Sequence, residues 1–124
     1  MTALLFVMLG GAIGAGSRLL VGRATLAAFG PGYPWGTLAV NIVGGLLMGV
    51  LAGTLARSSA GENARLLLGV GVLGGFTTFS AFSLEVVTMI ERGALGVALG
   101  YALLSVVGAV LAVFAGLYAV RAVA

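Results

Sequence analysis

Cysteine, histidine, lysine and aspartate are all missing from this chain of 124 residues, and these absences exclude classes of chemistry. Without cysteine there are no disulfides and no thiolate metal sites. Without histidine the chain lacks the usual proton shuttle and the commonest metal ligand. Lysine and aspartate are also absent, so every side-chain charge belongs to one of six arginines or three glutamates. No nucleophile–base pair or metal cluster is visible, and we expect no enzymatic activity.

Apolar residues dominate what remains. The chain is 61% hydrophobic and only 7% charged, whereas charged residues supply about a quarter of a soluble domain. A soluble fold of this length could not bury so much apolar surface, which predicts a single integral membrane domain over residues 1–124. The net charge of +3 comes from scattered arginines without a basic run, so it does not indicate a nucleic-acid partner. The N-terminus lacks a positively charged signal region, and we expect the mature protein to start at Met1.

The apolar segments divide into four predicted membrane-spanning helices. A hydrocarbon core about 30 Å thick needs about 20 apolar helical residues. Segments of that kind cover about 2–29, 35–56, 66–90 and 94–120. They are separated by "GPGYP" (30–34), by the polar loop "RSSAGENAR" (57–65) and by "ERG" (91–93). The sequence therefore predicts an all-α membrane protein.

The arginines do not decide which way the chain crosses the membrane. Three fall on each side: Arg57, Arg65 and Arg121 with the two termini, and Arg18, Arg23 and Arg92 opposite. Orientation normally follows an excess of arginine and lysine on the cytoplasmic side. Either other factors select one orientation, or the chain inserts both ways and pairs with an inverted copy of itself.

Glycines spaced four apart predict close helix packing. Such pairs include Gly10 with Gly14, Gly71 with Gly75, and Gly96 with Gly100. Small residues at this spacing let helix backbones approach closely in lipid. Four tightly packed helices cannot enclose a wide pore, so a pathway must be narrow, and an interface between copies is one place for it.

The segment "GGFTTFSAFS" (74–83) interrupts the third span near its centre. An unwound backbone at Gly74, Gly75 and Thr77 would release carbonyl groups, which are tolerated only inside protein or along a cavity. If two inverted copies met at this point, their carbonyls would surround one monovalent cation. The alternative is a simple kink that the hydroxyls satisfy.

Polar side chains recur at helical spacing in the second and fourth spans. Thr37 and Asn41 share one helical face, as do Tyr101 and Ser105. Asn41 either bonds a neighbouring helix or donates to a polar ligand, because both uses are found in membranes. Ser105 could instead bond a backbone carbonyl one turn back.

Two charged and two aromatic residues complete the candidate set. Arg18 either extends to the interface or draws anions toward a vestibule. Glu85 is a candidate proton relay, or it lies in a water-filled mouth and pairs with an arginine such as Arg18. Phe79 and Phe82 should project from one face, as packing residues or as ring edges that contact a small, strongly hydrated anion near Asn41.

Three motifs together resemble the Fluc/CrcB family of fluoride channels. They are "GGAIGAGSR" (10–18), "WGTLAVNIVGG" (35–45) and "GGFTTFSAFSLE" (74–85), and the similarity covers essentially the whole chain. The resemblance implies an antiparallel, dual-topology homodimer in the plasma (inner) membrane that exports fluoride from the cytoplasm. Two pores would run along the dimer interface.

The resemblance also implies roles for individual residues. Backbone carbonyls at the break would hold a structural sodium ion, side chains along each pore would contact the anion, and one arginine would serve the vestibule. The sodium residues would be Gly74 and Thr77, the pathway residues Asn41, Phe79, Phe82, Thr37, Ser80, Tyr101 and Ser105, and the vestibule residue Arg18. Ala109, one turn past Ser105, lacks the second hydroxyl of some relatives, which shortens the polar track.

Two other functions stay open at this point. A proton-coupled exporter of the small multidrug kind shares the four spans, but it needs a membrane-embedded carboxylate, typically in the first span. Residues 1–23 contain no acidic side chain, and Glu85 is the possible substitute. The second alternative is a non-transporting structural subunit of a larger complex.

Overall fold

Helices account for almost the whole of the computed structural model, which describes residues 1–59 and 61–123. Ala60, in the predicted polar loop, and Ala124 lie outside the described residues. Within the described part, four helices are long and apolar enough to span a membrane: Thr2–Phe29, Trp35–Ala56, Gly61–Glu91 and Leu95–Ala122. The predicted all-α fold, with four helices long and apolar enough to cross a membrane, is confirmed.

The first two spans are the helices α1 (Thr2–Phe29) and α2 (Trp35–Ala56). Gly30 ends α1 with a positive φ of 77°, which glycine adopts without a steric penalty, and its N–H donates to the Leu26 carbonyl oxygen at 2.9 Å. Pro34 precedes α2, where its missing N–H is not needed by the helix. The turn predicted at 30–34 is therefore confirmed.

The third span is built from several segments. It comprises α3 (Gly61–Ala64), a π-helical segment (Arg65–Leu73), α4 (Gly74–Phe76) and α5 (Ser80–Glu91). It begins at Gly61 rather than at the predicted residue 66, because an ion pair between Glu62 and Arg65 lies on one face of the first turn. Thr77, which follows α4, has extended backbone angles (φ −84°, ψ 160°).

The fourth span is α6 (Leu95–Ala122). Gly93, with φ 78°, makes the turn out of α5, and the Ala94 N–H donates back to the Met89 carbonyl oxygen at 2.9 Å. At the other end, Arg57 Nη1 donates to the Val120 carbonyl oxygen at 3.0 Å. A cation on the last carbonyls of a helix offsets its negative end.

Close glycine contacts join the helices in two pairs. A Cβ added at Gly10 of α1 would lie 2.9 Å from the Gly71 Cα, so α1 and the first half of the third span pack backbone to backbone. Gly49 of α2 meets α6 in the same way, since an added Cβ would lie 3.1 Å from the Gly116 Cα. Gly96 and Gly100 make no such contact within the described chain, where a Cβ added at either would meet open space.

A small apolar core lies between α2, α5 and α6. Its buried members are Leu38, Phe82, Met89, Ala98 and Tyr101. This core fixes α5 against α6 and so places residues 77–79, between α4 and α5, beside both α2 and α6.

Candidate functional site

The backbone hydrogen bonding of the third span changes between α4 and α5. The Thr78 N–H donates to Asn41 Oδ1 at 2.8 Å, although the Gly74 carbonyl would be its acceptor in a continuous helix. The Ala81 N–H donates to Thr78 Oγ1 at 3.2 Å, and its helical acceptor would have been the Thr77 carbonyl. The carbonyl groups of Gly74 and Thr77 therefore lose their helical donors to side-chain oxygens.

These two carbonyls suit a hard monovalent cation. Backbone oxygens at an unwound helix are ligands for such ions, and they need no acidic side chain. Among the described residues there is no group of three or more histidine, cysteine, aspartate or glutamate side chains that could hold a metal. Main-chain oxygens, such as those of Gly74 and Thr77, are the groups here that could hold such a cation.

Asn41 of α2 connects that helix to the break through two hydrogen bonds. Its Nδ2 donates to the Thr78 carbonyl oxygen at 2.9 Å, and its Oδ1 accepts from the Thr78 N–H. The sequence left open whether Asn41 bonds a neighbouring helix or donates to a ligand. The structure shows the first use, in which one Nδ2 hydrogen and the Oδ1 oxygen of Asn41 bond the backbone of Thr78.

A groove of about 380 Å³ runs beside the break between α2 and α6. Five of the residues predicted for ion contact line it: Asn41, Thr77, Phe79, Phe82 and Ser105. Ala109 lines it one turn beyond Ser105, together with apolar residues of α6. The groove therefore has hydroxyl, amide and ring-edge groups near the break and an apolar wall farther along.

Ser105 supplies an unusual hydroxyl to this groove. The residue is only 5% exposed, and within the described part of the chain its Oγ has no hydrogen-bond partner. The alternative expectation, that Ser105 bonds a carbonyl one turn back, is therefore not what the structure has. A buried polar group without a partner costs about 1–3 kcal/mol, so this hydroxyl calls for an explanation other than packing.

Phe79 and Phe82 have different environments, although their ring centroids are 5.5 Å apart. The Phe82 side chain is buried and packs on Tyr101, with a centroid separation of 5.3 Å. Phe79 is 75% exposed on the outside of the chain. Both line the groove, but only Phe82 also belongs to the core, a distinction that helical spacing alone could not provide.

Glu85 brings together two residues of the predicted pathway. Its Oε2 accepts from Thr37 Oγ1 and its Oε1 accepts from Tyr101 Oη, both at 2.9 Å. The considered pairing of Glu85 with Arg18 is not what the structure has, because Arg18 Nε donates to the Gly75 carbonyl oxygen at 3.2 Å. The sequence indicated each residue of this cluster but not that the carboxylate joins them.

Two cavities open at the end of the molecule that carries the connections 30–34 and 91–93. The first, of about 310 Å³, is lined by Arg18, Arg23 and Thr37. The second, of about 430 Å³, is lined by Tyr33 and Glu85 among others. Burial raises the pKa of the Tyr33 phenol, which lies in the connection between α1 and α2, so this ring stays neutral near pH 7.

Ser80 is exposed at the start of α5, close to another hydroxyl of the break. Its Oγ lies 3.3 Å from Thr78 Oγ1, and either oxygen can donate to the other. The structure thus places Ser80 beside Thr78. Thr37 and Tyr101 are hydrogen-bonded to Glu85, and Ser105 lines the groove.

Known proteins with similar sequences cover the whole chain. The family model described as "CrcB-like protein, Camphor Resistance (CrcB)" matches residues 5–117. A relative from Novosphingobium aromaticivorans, named "Fluoride-specific ion channel FluC", is 59% identical over 126 aligned positions that cover 100% of both chains. A relative of the same name from Phenylobacterium zucineum is 61% identical, with 99% of this chain and 98% of that relative covered.

Proposed function

The chain belongs to the CrcB family, and from this premise we propose that it is a fluoride-selective ion channel that conducts passively. The relatives that support this proposal are fluoride-specific channels by name and align over nearly their full length. The observation that carries the proposal is the Ser105 hydroxyl, which has no hydrogen-bond partner among the described residues and belongs to a groove shared with Asn41, Phe79 and Phe82.

The groove chemistry suits a small, strongly hydrated anion. Ser105 Oγ–H and the second Nδ2 hydrogen of Asn41 are donors that replace hydration water. The positive ring edges of Phe79 and Phe82 offer weak poles without a full charge. Conduction needs several weak sites rather than one tight site, so this combination favours passage over retention.

A second, inverted copy of the chain would complete the pathway. Phe79 is 75% exposed, and the Thr78 and Ser80 hydroxyls lie beside it, near the middle of the span Gly61–Glu91. A broken backbone at the membrane midplane cannot face lipid. An antiparallel homodimer covers this surface, and the balanced arginine count permits insertion in both orientations.

The same arrangement suits a structural sodium ion on the two-fold axis. Each copy would present the carbonyls of Gly74 and Thr77, whose helical donors bond elsewhere. The ion would neutralise the oxygen partial charges that meet there and so hold the two copies together. The chain's own part is to keep these carbonyls unpaired, which Asn41 and Thr78 do.

The remaining predicted residues fit the approach to the groove. Arg18 lines the cavity at one end and attracts anions there. Thr37 and Tyr101 donate to Glu85, which lines the larger cavity at that end, and Ser80 Oγ lies beside Thr78 Oγ1 near the groove, so the proposed approach passes close to these hydroxyl groups. In the plasma (inner) membrane, such a passive route lets cytoplasmic fluoride leave the cell.

The direct test is ion efflux from liposomes that contain only the purified protein. We expect a fluoride electrode to record rapid efflux and a chloride electrode to record hardly any. Equal flux of both ions would contradict the selectivity mechanism. Selective flux by the purified protein alone would exclude a non-transporting structural subunit.

Glu85→Gln separates the channel from a proton-coupled exporter. In the channel, the glutamine can still bond Thr37 and Tyr101 because either hydroxyl can donate or accept. We therefore expect fluoride efflux to stay within about threefold of the parent chain, since the one bond that changes is not on the groove. An exporter that uses Glu85 as its proton carrier would lose transport completely, and such a loss would favour that alternative.

A further inference from the structure

The C-terminal end of α4 lies inside the membrane-spanning region and presents carbonyl oxygens there. The Leu73 carbonyl accepts from both the N–H and the Oγ1 of Thr77, each at 3.0 Å. The Gly75 carbonyl accepts from Arg18 Nε at 3.2 Å. The end of a helix carries partial negative charge, which water cannot offset at this depth, so a cation stabilises it.

Arg18 bonds the carbonyl that lies between the two proposed sodium ligands in sequence. Gly74 precedes Gly75 directly, and Thr77 follows two positions later. Helix α1 also contacts Gly75 directly, because a Cβ added there would lie 2.6 Å from the Gly11 carbonyl oxygen. The α1 backbone and the Arg18 guanidinium therefore both fix the position of the Gly75 peptide group.

We propose that Arg18 is a positioning residue of the cation site: its bond to the Gly75 carbonyl orients the neighbouring Gly74 and Thr77 carbonyls toward the shared ion. This inference rests on the sodium site of the proposed function and goes beyond the attraction of anions by the charge of Arg18. The same bond engages the Gly75 carbonyl oxygen, so this oxygen is not a ligand of the sodium ion.

The two roles of Arg18 depend on different properties of its side chain. Attraction of anions needs only a positive charge, which lysine also carries. Orientation of a carbonyl needs the rigid, planar donors of the guanidinium, whereas the lysine ammonium is a point charge on a flexible stem. Arg18→Lys therefore keeps the first role and removes the second.

A sodium titration of thermal unfolding tests the proposal on the purified dimer. The chain is unfolded in detergent at increasing sodium, with N-methylglucamine keeping the ionic strength constant. Ligand that binds only the folded state raises its stability, so the titration gives an apparent sodium affinity. For Arg18→Lys we expect the sodium concentration at half-effect to rise about tenfold or more, as for loss of a charged hydrogen bond.

Arg23→Lys is the matched control, because Arg23 lines the same cavity and carries the same charge. We expect its half-effect concentration to equal that of the parent chain. If Arg18→Lys does not give monodisperse protein, Arg18→Gln gives the same test, since it also lacks the guanidinium. An unchanged sodium affinity in the Arg18 variant overturns the positioning role.

The parent chain itself separates this inference from the proposal on which it rests. If sodium does not stabilise the parent chain, the sodium site of the proposed function fails, and the positioning role fails with it. If sodium stabilises the parent chain, Arg18→Lys and Arg23→Lys equally, the sodium site stands and only the positioning role is wrong.

Discussion

The two halves of the third span are held in the fold by different means. The first half, from Arg65 to Phe76, packs against α1 through backbone contacts, and a Cβ on Gly14 would lie 2.8 Å from the Phe76 nitrogen. The second half, α5, is held by side chains: Phe82 packs on Tyr101, and Glu85 accepts hydroxyl bonds from α2 and α6.

The two halves therefore have different roles: one fixes the location of the break, and the other provides the chemical groups of the groove. Backbone contacts leave no room for side-chain variation, so the first half fixes where the break lies relative to α1. Side-chain contacts present hydroxyl, amide and aromatic groups, so the second half and its neighbours decide what the groove recognises. Changes in the first half should therefore act on folding, and changes near the second half should act on ion flux.

The largest expected effect comes from breaking the backbone contact with Gly14→Ala. The added Cβ would overlap the Val72 carbonyl oxygen, and backbone atoms on both sides cannot move aside. We expect the free energy of unfolding to fall by about 3 kcal/mol or more, at or above the upper end for overpacking. Detergent-induced unfolding measures it, with the fraction of folded dimer as a second readout.

Gly16→Ala is the matched control on the same helix. Apart from the adjoining residues and backbone of its own helix, no atom of the described residues lies within 4 Å of a Cβ at Gly16, so the substitution meets open space. It should leave stability unchanged or raise it by about 0.5–1 kcal/mol, because alanine favours the helix. Equal destabilisation by the two alanines would show that α1 does not hold the first half by close contact.

Intermediate effects, on fluoride efflux and on stability, should come from the paired changes Phe82→Ile and Phe79→Ile. Both remove a ring edge from the groove, so both should lower fluoride efflux from liposomes about tenfold or more, as for a lost interaction of about 1.5 kcal/mol. Only Phe82 is in the core, and its loss should also reduce stability by about 1–2 kcal/mol. Parent-level efflux in both variants would reduce the aromatic pair to packing.

The smallest effect on stability should come from Ser105→Ala. Unlike Gly14→Ala and Phe82→Ile, this change should stabilise the protein. Removing a buried hydroxyl that has no partner among the described residues should raise stability, by less than about 1 kcal/mol. Fluoride efflux should fall, because the groove loses a donor. A loss of stability together with unchanged efflux would mean that Ser105 serves packing rather than the ion.

The fold was largely predictable because membrane spans depend on composition and length. The limits of α1 and α2 follow from apolar runs and from the glycine and proline that bound them. The start of the third span was placed too late, since the Glu62–Arg65 ion pair extends the helix into a polar segment. A hydropathy profile counts both residues as polar and does not show that they pair within a helix.

The candidate residues were also predictable, but their partners were not. Asn41 was recognised as a polar group in an apolar helix, yet its acceptor, the Thr78 carbonyl, is 37 positions away in sequence. The different burial of Phe79 and Phe82 depends on how the chain leaves the helix at Thr77. Such facts come from tertiary contacts between distant segments, which local spacing does not contain.

The hydrogen bond between Arg18 and Gly75 spans 57 residues, and this separation has a consequence for biosynthesis. At a ribosomal rate of about 5–20 residues per second, Gly75 is made roughly 3–11 s after Arg18. Until then, the glycine face of α1 lacks the third-span backbone against which it packs in the finished fold. A lipid that binds this face tightly would therefore delay maturation of the nascent protein, without any change in the finished one.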